Sequence, residues 1–410
     1  MTRSIHRRVL SVALFLIFAG CGHSEEHDTA LVVSSDPELG AMAAALLPGL
    51  AERAGLNLLE PVRVEWRARD ELQRYVRHRL DEELPEEEAR RVVQSYALLG
   101  LVPEDLDLRE LFLAVYAEQV AGFYDPDSTA LFIMEDQPTA GVEAILLHEL
   151  VHALQDQHAQ LDSLTAKERG NDRRAAAHAA IEGHATLVML EYMTERLQGS
   201  PVDLSSIPDF AETSRPALAA MSDQYPVLAG APRIIRESLL FPYIEGAGFV
   251  HALWRREDGR PAPLGEFLPR STRHVLEPER SLEEGLLPPL DITIVPPVGS
   301  EELFGNDMGR LETEILLEEH GASRAAAVGL RGDRFILVST DAAPALLWVS
   351  VWDDAEARRR FMDALSPTLG RFPFGATIEE IEIDGGSGVL LRAGAGASDP
   401  VDARAQPGRP

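Results

Sequence analysis

One run of residues constrains this chain more than any other. From Val142 to Leu154 it reads VEAILLHELVHAL, with no Pro or Gly inside. Val142, Ile145, Leu146, Leu150, Val151 and Leu154 clothe nearly every side of a helix expected from about Thr139 to Gln157. A helix that is apolar all round is a buried one, yet this one carries His148, Glu149 and His152. Burying such groups without a partner is costly, so the fold must supply one. Residues four apart on a helix differ by about 40° in direction and one turn in height, so both imidazoles can reach a single cation. Glu149 then lies beside that cation, where it can take a proton from an attacking water.

A catalytic zinc takes three protein ligands and keeps one position for water, so a third ligand is required. Two candidates compete. His158 lies six residues past His152, the spacing of the metzincin pattern HExxHxxGxxH, but Gln155 stands where that pattern needs a glycine to turn the chain. In an unbroken helix His158 points about 120° away from His152. The other candidate is Glu182, in AAIEGHAT on the next helix, expected over about Asp172–Leu197. Gly183 and Ala185 would let that helix come close, and a glutamate on a following helix is the gluzincin arrangement. This reading favours Glu182. Whether the helix runs through Gln157 or reverses at Gln155 decides between the two. His178 and His184 flank Glu182 and read as supporting or pocket-lining groups rather than ligands.

Other roles are less sharply marked. Strand Ala130–Met134, just before the motif helix, reads either as an edge to which a peptide adds itself as a further strand or as an ordinary structural strand. For a donor to the developing oxyanion, Tyr243 in FPYIEG is the first choice and His251 the second.

The N-terminus reads as a targeting segment. Arg3, His6, Arg7 and Arg8 precede the apolar run Val9–Ala19, which is shorter than the roughly 20 residues of a membrane-spanning helix. It ends in Phe18-Ala19-Gly20-Cys21, and Cys21 is the sole cysteine. This resembles a bacterial lipobox with Phe18 in place of the commoner Leu. The expectation is a signal peptide over 1–20, a lipid on Cys21 and a bacterial envelope location. With one cysteine no internal disulfide can form.

The remaining chain is expected to be α+β and mainly α-helical. A polar tether over 21–36 precedes a catalytic region over 37–290. A small α+β region over 291–393 follows, and 394–410 has the composition of disorder. Of the 410 residues, 45% are hydrophobic and 26% charged, and the net charge of -29 excludes nucleic acid as a partner, since a polyanion would be repelled.

Beyond the motif, the chain resembles a family of bacterial and archaeal zincin-like proteins with HELVHALQDQH followed by an EGxA helix. The matching stretches are Leu99–Pro103 (LGLVP), Glu118–Pro126 (EQVAGFYDP), Phe241–Gly246 (FPYIEG), Ser271–Leu276 (STRHVL) and Gly332–Phe335 (GDRF). The resemblance covers about residues 60–365. His184 departs from it, standing where an acidic residue is commoner, as does Glu277-Pro278 in place of His-Pro. It implies a gluzincin-type metallopeptidase with a zincin-like fold and supports Glu182 as the third ligand.

Taken together, the expected function is hydrolysis of peptide bonds in a peptide or protein substrate by an envelope-anchored enzyme. One Zn2+ would sit on His148, His152 and Glu182, with Glu149 as base. The alternative is a zinc-binding lipoprotein that acts as scaffold or partner-binding module with little turnover. A non-peptide amide, such as a cell-wall bond, is a third substrate class.

Overall fold

The computed structural model describes residues 31–410 apart from 209–212, 214–215, 217–224, 342, 385, 395–400 and 409–410. The expected signal peptide and Cys21 lie outside the described residues. Among the described residues no helix is long and apolar enough to cross a membrane.

The fold is α+β and mainly helical. Strand β1 (Val32–Val33) leads into helix α1 (Pro37–Ala54), so the last part of the expected tether is ordered. Asp36 starts this helix by accepting bonds from the amides of Glu38 and Leu39, which would otherwise lack partners. Then follow β2 (Val62–Arg67), α2 (Arg69–Glu83), α3 (Glu86–Leu98) and α4 (Leu108–Gln119). A hairpin of β3 (Gly122–Asp125) and β4 (Ala130–Met134) leads to the motif helix α5 (Thr139–Ala159). Next come α6 (Asn171–Gln198) and α7 (Arg233–Arg256).

The four N-terminal strands form one sheet in the order β1-β2-β4-β3, in which only the β3–β4 pair is antiparallel. Strand β4 is therefore interior, bonded to β2 on one side and β3 on the other. Of the two readings left open for this strand, the free edge for a peptide is overturned. The stretch from Gly122 to Asp125 is itself a strand. The turn is confined to Pro126–Thr129, with Thr129 in a left-handed conformation (φ 47°).

Further along, β5 (Asp291–Val295), β6 (Glu302–Asn306) and helix α8 (Gly309–Glu319) precede β7 (Leu330–Val338), β8 (Ala345–Trp352) and helix α9 (Ala355–Leu365). Then come β9 (Ala376–Ile383) and β10 (Gly386–Ala393), completing an antiparallel sheet in the order β6-β7-β8-β10-β9. Residues 394–410, expected to be disordered, include β11 (Asp402–Gln406), which pairs with β5. Backbone bonding orders this polar segment where composition alone suggested none. One hydrophobic core runs from Leu39 through Leu147 and Phe249 to Trp348 and Leu391, so the chain on either side of residue 290 shares it.

The root of α6 is fixed by buried acids. Asp172 accepts bonds from the Thr272 amide (2.8 Å) and hydroxyl, and its own amide donates to Asp307 (2.5 Å). Asp333 accepts from the amides of Met308 (2.8 Å) and Gly309 (2.9 Å) and from the Trp348 indole (2.8 Å). Glu312 accepts from the Tyr96 hydroxyl (2.8 Å) and the Asn171 side chain (2.7 Å). Gly309 has φ +61°, and a Cβ there would lie 1.9 Å from an Asp172 oxygen. Burial pushes Glu312 up to about 8 and Asp333 to about 6. Burial and the neighbouring Asp333 and Asp172 raise Asp307 well above the carboxylate range. Part of this cluster is held as neutral acid.

Candidate metal centre

Helix α5 is unbroken from Thr139 to Ala159. Its left-handed terminus is Gln160 (φ 49°), five residues past the point where a metzincin-like reversal would fall. His158 consequently faces outward and bonds the carbonyl of Asn57 through Nε2 at 2.9 Å. It takes no part in the site. The apolar positions of the helix are buried as its pattern demands, with Leu146, Leu147, Leu150, Val151 and Leu154 fully enclosed.

The partner of His148 and His152 comes from α6. His148 Nε2 lies 3.1 Å from His152 Nε2 and 3.0 Å from Glu182 Oε2, and His152 Nε2 is 3.4 Å from the same oxygen. Among the described residues, His148, His152 and Glu182 form the group that could hold a metal ion, with ligand atoms within 4.8 Å of one another. All three are largely enclosed, the side chains of His148 and Glu182 being 14% and 12% exposed.

Two glycines set how Glu182 is presented. A Cβ on Gly183 would lie 2.0 Å from the backbone of Gly246, and one on Gly246 would lie 2.0 Å from the carbonyl oxygen of Ala179. Only with both side chains absent can α6 and α7 touch there. The close approach expected of Gly183 is thus made to α7, the helix of the FPYIEG segment. That contact brings Tyr243 to the site, its ring centroid 6.2 Å from that of His148. His251, the second choice as oxyanion donor, bonds the carbonyl of Leu204 at 3.1 Å instead.

The electrostatics follow from one carboxylate facing two imidazoles. Burial alone would raise Glu182, but His152, His148 and His178 hold it well below the usual range. Burial alone would lower His152, yet Glu182 pushes it up to about 9. A cation bound here would take the place of that proton. His178 touches the other carboxylate oxygen, its Nε2 3.3 Å from Oε1, and is half exposed. Burial raises Glu149 above the ordinary carboxylate value, while the two histidines and the Tyr124 amide oppose the shift. The Glu182 charge, and then burial, drive the Tyr243 phenol well above its ordinary value.

Two groups escaped the sequence reading. Tyr116, on α4, joins Tyr243 near Glu182, and each residue is 37% exposed. The other is the outer edge of β3. Its register with β4 turns the backbone groups of Phe123 and Asp125 inward and those of Gly122 and Tyr124 outward. The Tyr124 amide bonds Glu149. Gly122 permits the closeness of strand and helix, since a Cβ there would lie 2.5 Å from Ile145. Comparison with protein-family models, with curated proteins and with solved structures finds no match.

Proposed function

We propose that this protein is a zinc-dependent peptidase of gluzincin form, with His148, His152 and Glu182 as ligands and Glu149 as general base. The triangle of donors at 3.0, 3.1 and 3.4 Å supports this reading. Zinc bonds of about 2.0–2.1 Å in tetrahedral directions put neighbouring donors about 3.3 Å apart. Two imidazoles and one carboxylate are also the ligand chemistry that zinc takes in hydrolytic sites.

When bound, the cation would act as a Lewis acid on water and on the scissile carbonyl. Glu149, raised by burial, takes the proton of the attacking water and returns it to the leaving amine. The Tyr243 hydroxyl, held neutral beside Glu182, would donate to the carbonyl oxygen as charge develops. The outer edge of β3, next to Glu149, would offer an extended peptide the backbone groups of Gly122 and the carbonyl of Tyr124 for alignment. A closed structural zinc site would use four protein ligands and would have no need of a buried glutamate at its side. That difference favours the enzyme over a scaffold.

The experiment is peptide-library cleavage by purified protein with and without chelator, alongside Glu149→Gln. Metal-dependent cleavage is expected in the wild type. The variant should bind zinc normally and lose activity by about 10²–10⁴-fold, the usual worth of a positioned general base. Zinc binding without cleavage in the wild type would leave the scaffold reading. We also propose Cys21 as a lipid attachment point at the bacterial envelope. Labelled fatty acid should enter the wild type and not Cys21→Ser.

A further inference from the structure

The wall behind His152 contains a group that the mechanism does not use. Gln155 is fully buried, one turn along the same helix. Its Oε1 lies 2.9 Å from His152 Nδ1, and its Nε2 lies 3.0 Å from both the carbonyl oxygen of Ile181 and Nδ1 of His184. From these contacts, and resting on the zinc-site reading above, we infer that Gln155 is a positioning residue that fixes the tautomer of His152 and locks α5 to α6 at the ligand triangle.

The Ile181 oxygen can only accept, so the end of the amide that faces it must be the nitrogen, and the flipped orientation is excluded. The amide oxygen then faces His152, so Nδ1 of that ring must carry the proton and donate it. A ring protonated at Nδ1 leaves Nε2, the atom in the triangle, with its lone pair directed at the cation. The second amide hydrogen goes to His184 Nδ1, which must therefore accept. That places the His184 proton on Nε2; the ring also meets Trp254 edge to face at 5.8 Å. His184 is itself fully buried. Ile181 and His184 bracket Glu182 in the sequence, so the same amide that orients one ligand also fixes the backbone that presents another.

The test compares Gln155→Met, which fills the space without polar atoms, with Gln155→Glu, which keeps an acceptor for Nδ1–H. Zinc affinity is read by competition with a chromophoric chelator, and folding by circular dichroism. The methionine variant should bind zinc about 10–100-fold more weakly, as expected when an outer partner of a ligand histidine is lost. The glutamate variant should recover most of that loss. Methionine binding within twofold of wild type overturns the inference, as does an equal loss in both folded variants. Should either variant not fold, nuclear magnetic resonance of the zinc-loaded wild type carries the test. A His152 Nδ1–H that exchanges slowly with solvent supports the bond, and rapid exchange overturns it. Zinc binding without peptide cleavage would refute the enzyme and leave this test intact, because neither readout is activity.

Discussion

Gly183 and Gly246 meet backbone to backbone where the helix that carries Glu182 crosses the helix that carries Tyr243. No side chain fits between them, so the position of one candidate metal ligand depends on a pair of missing methyl groups. Gly183→Ala should separate the helices. Overpacking of this kind costs about 1–3 kcal/mol, to be read as a lowered denaturation midpoint. Because Glu182 is the adjacent residue, zinc affinity should fall as well. Unchanged melting and unchanged affinity together would contradict the packing described.

The ligand assignment makes opposite demands on two residues. Glu182→Ala should remove most of the zinc affinity, since the carboxylate supplies the only negative charge in the triangle. His158→Ala should leave it intact, because that ring bonds Asn57 at the surface. Isothermal titration of both variants separates them, and a reversed outcome would return the third ligand to His158.

For Tyr243 the expectation is a split between kinetic parameters. In the proposed mechanism its hydroxyl acts as charge develops, so Tyr243→Phe should lower kcat with little change in KM and no loss of metal. A change confined to KM would make the phenol a ground-state binding contact instead.

The buried acids give a pH dependence whose sign can be worked out. Glu312 titrates near its ordinary 4.5 when unfolded and at about 8 when folded. The folded state therefore retains a proton that the unfolded state loses between those values, and stability falls as pH rises from about 4.5 to about 8. Glu312→Gln removes the titration. Its melting temperature relative to wild type should be higher at pH 8 than at pH 5, and a constant difference between the two would show that this group does not titrate as described.

How much of this was legible beforehand depends on the range of each interaction. The motif helix and the Glu182 helix announce themselves by local periodicity, and their ends agree to within a few residues. Glu182 could be chosen because a neighbouring glycine and a following helix are local facts. The role of β3 was not visible, since four residues carry no usable alternation and a strand edge is defined only by what pairs on its other side. The same applies to β11, a polar segment ordered by its bonds to β5. Asp172, Asp307, Glu312 and Asp333 come from distant parts of the chain and look like ordinary surface charge until the fold gathers them. Gln155 was noticed only as an absent glycine, because nothing local shows which groups its amide will meet.

The anchoring of α6 has a consequence for genetics. Asp172 and Glu182 stand ten residues apart on one unbroken helix, about 15 Å along a rigid rod. The rod is clamped at its root by Thr272 and by the turn into α8, and its middle carries the candidate ligand Glu182. A mutational map of zinc loss should then show two hot regions rather than one. The first surrounds the ion, and the second lies at Asp172, Thr272 and Gly309, about 15 Å from it along the helix.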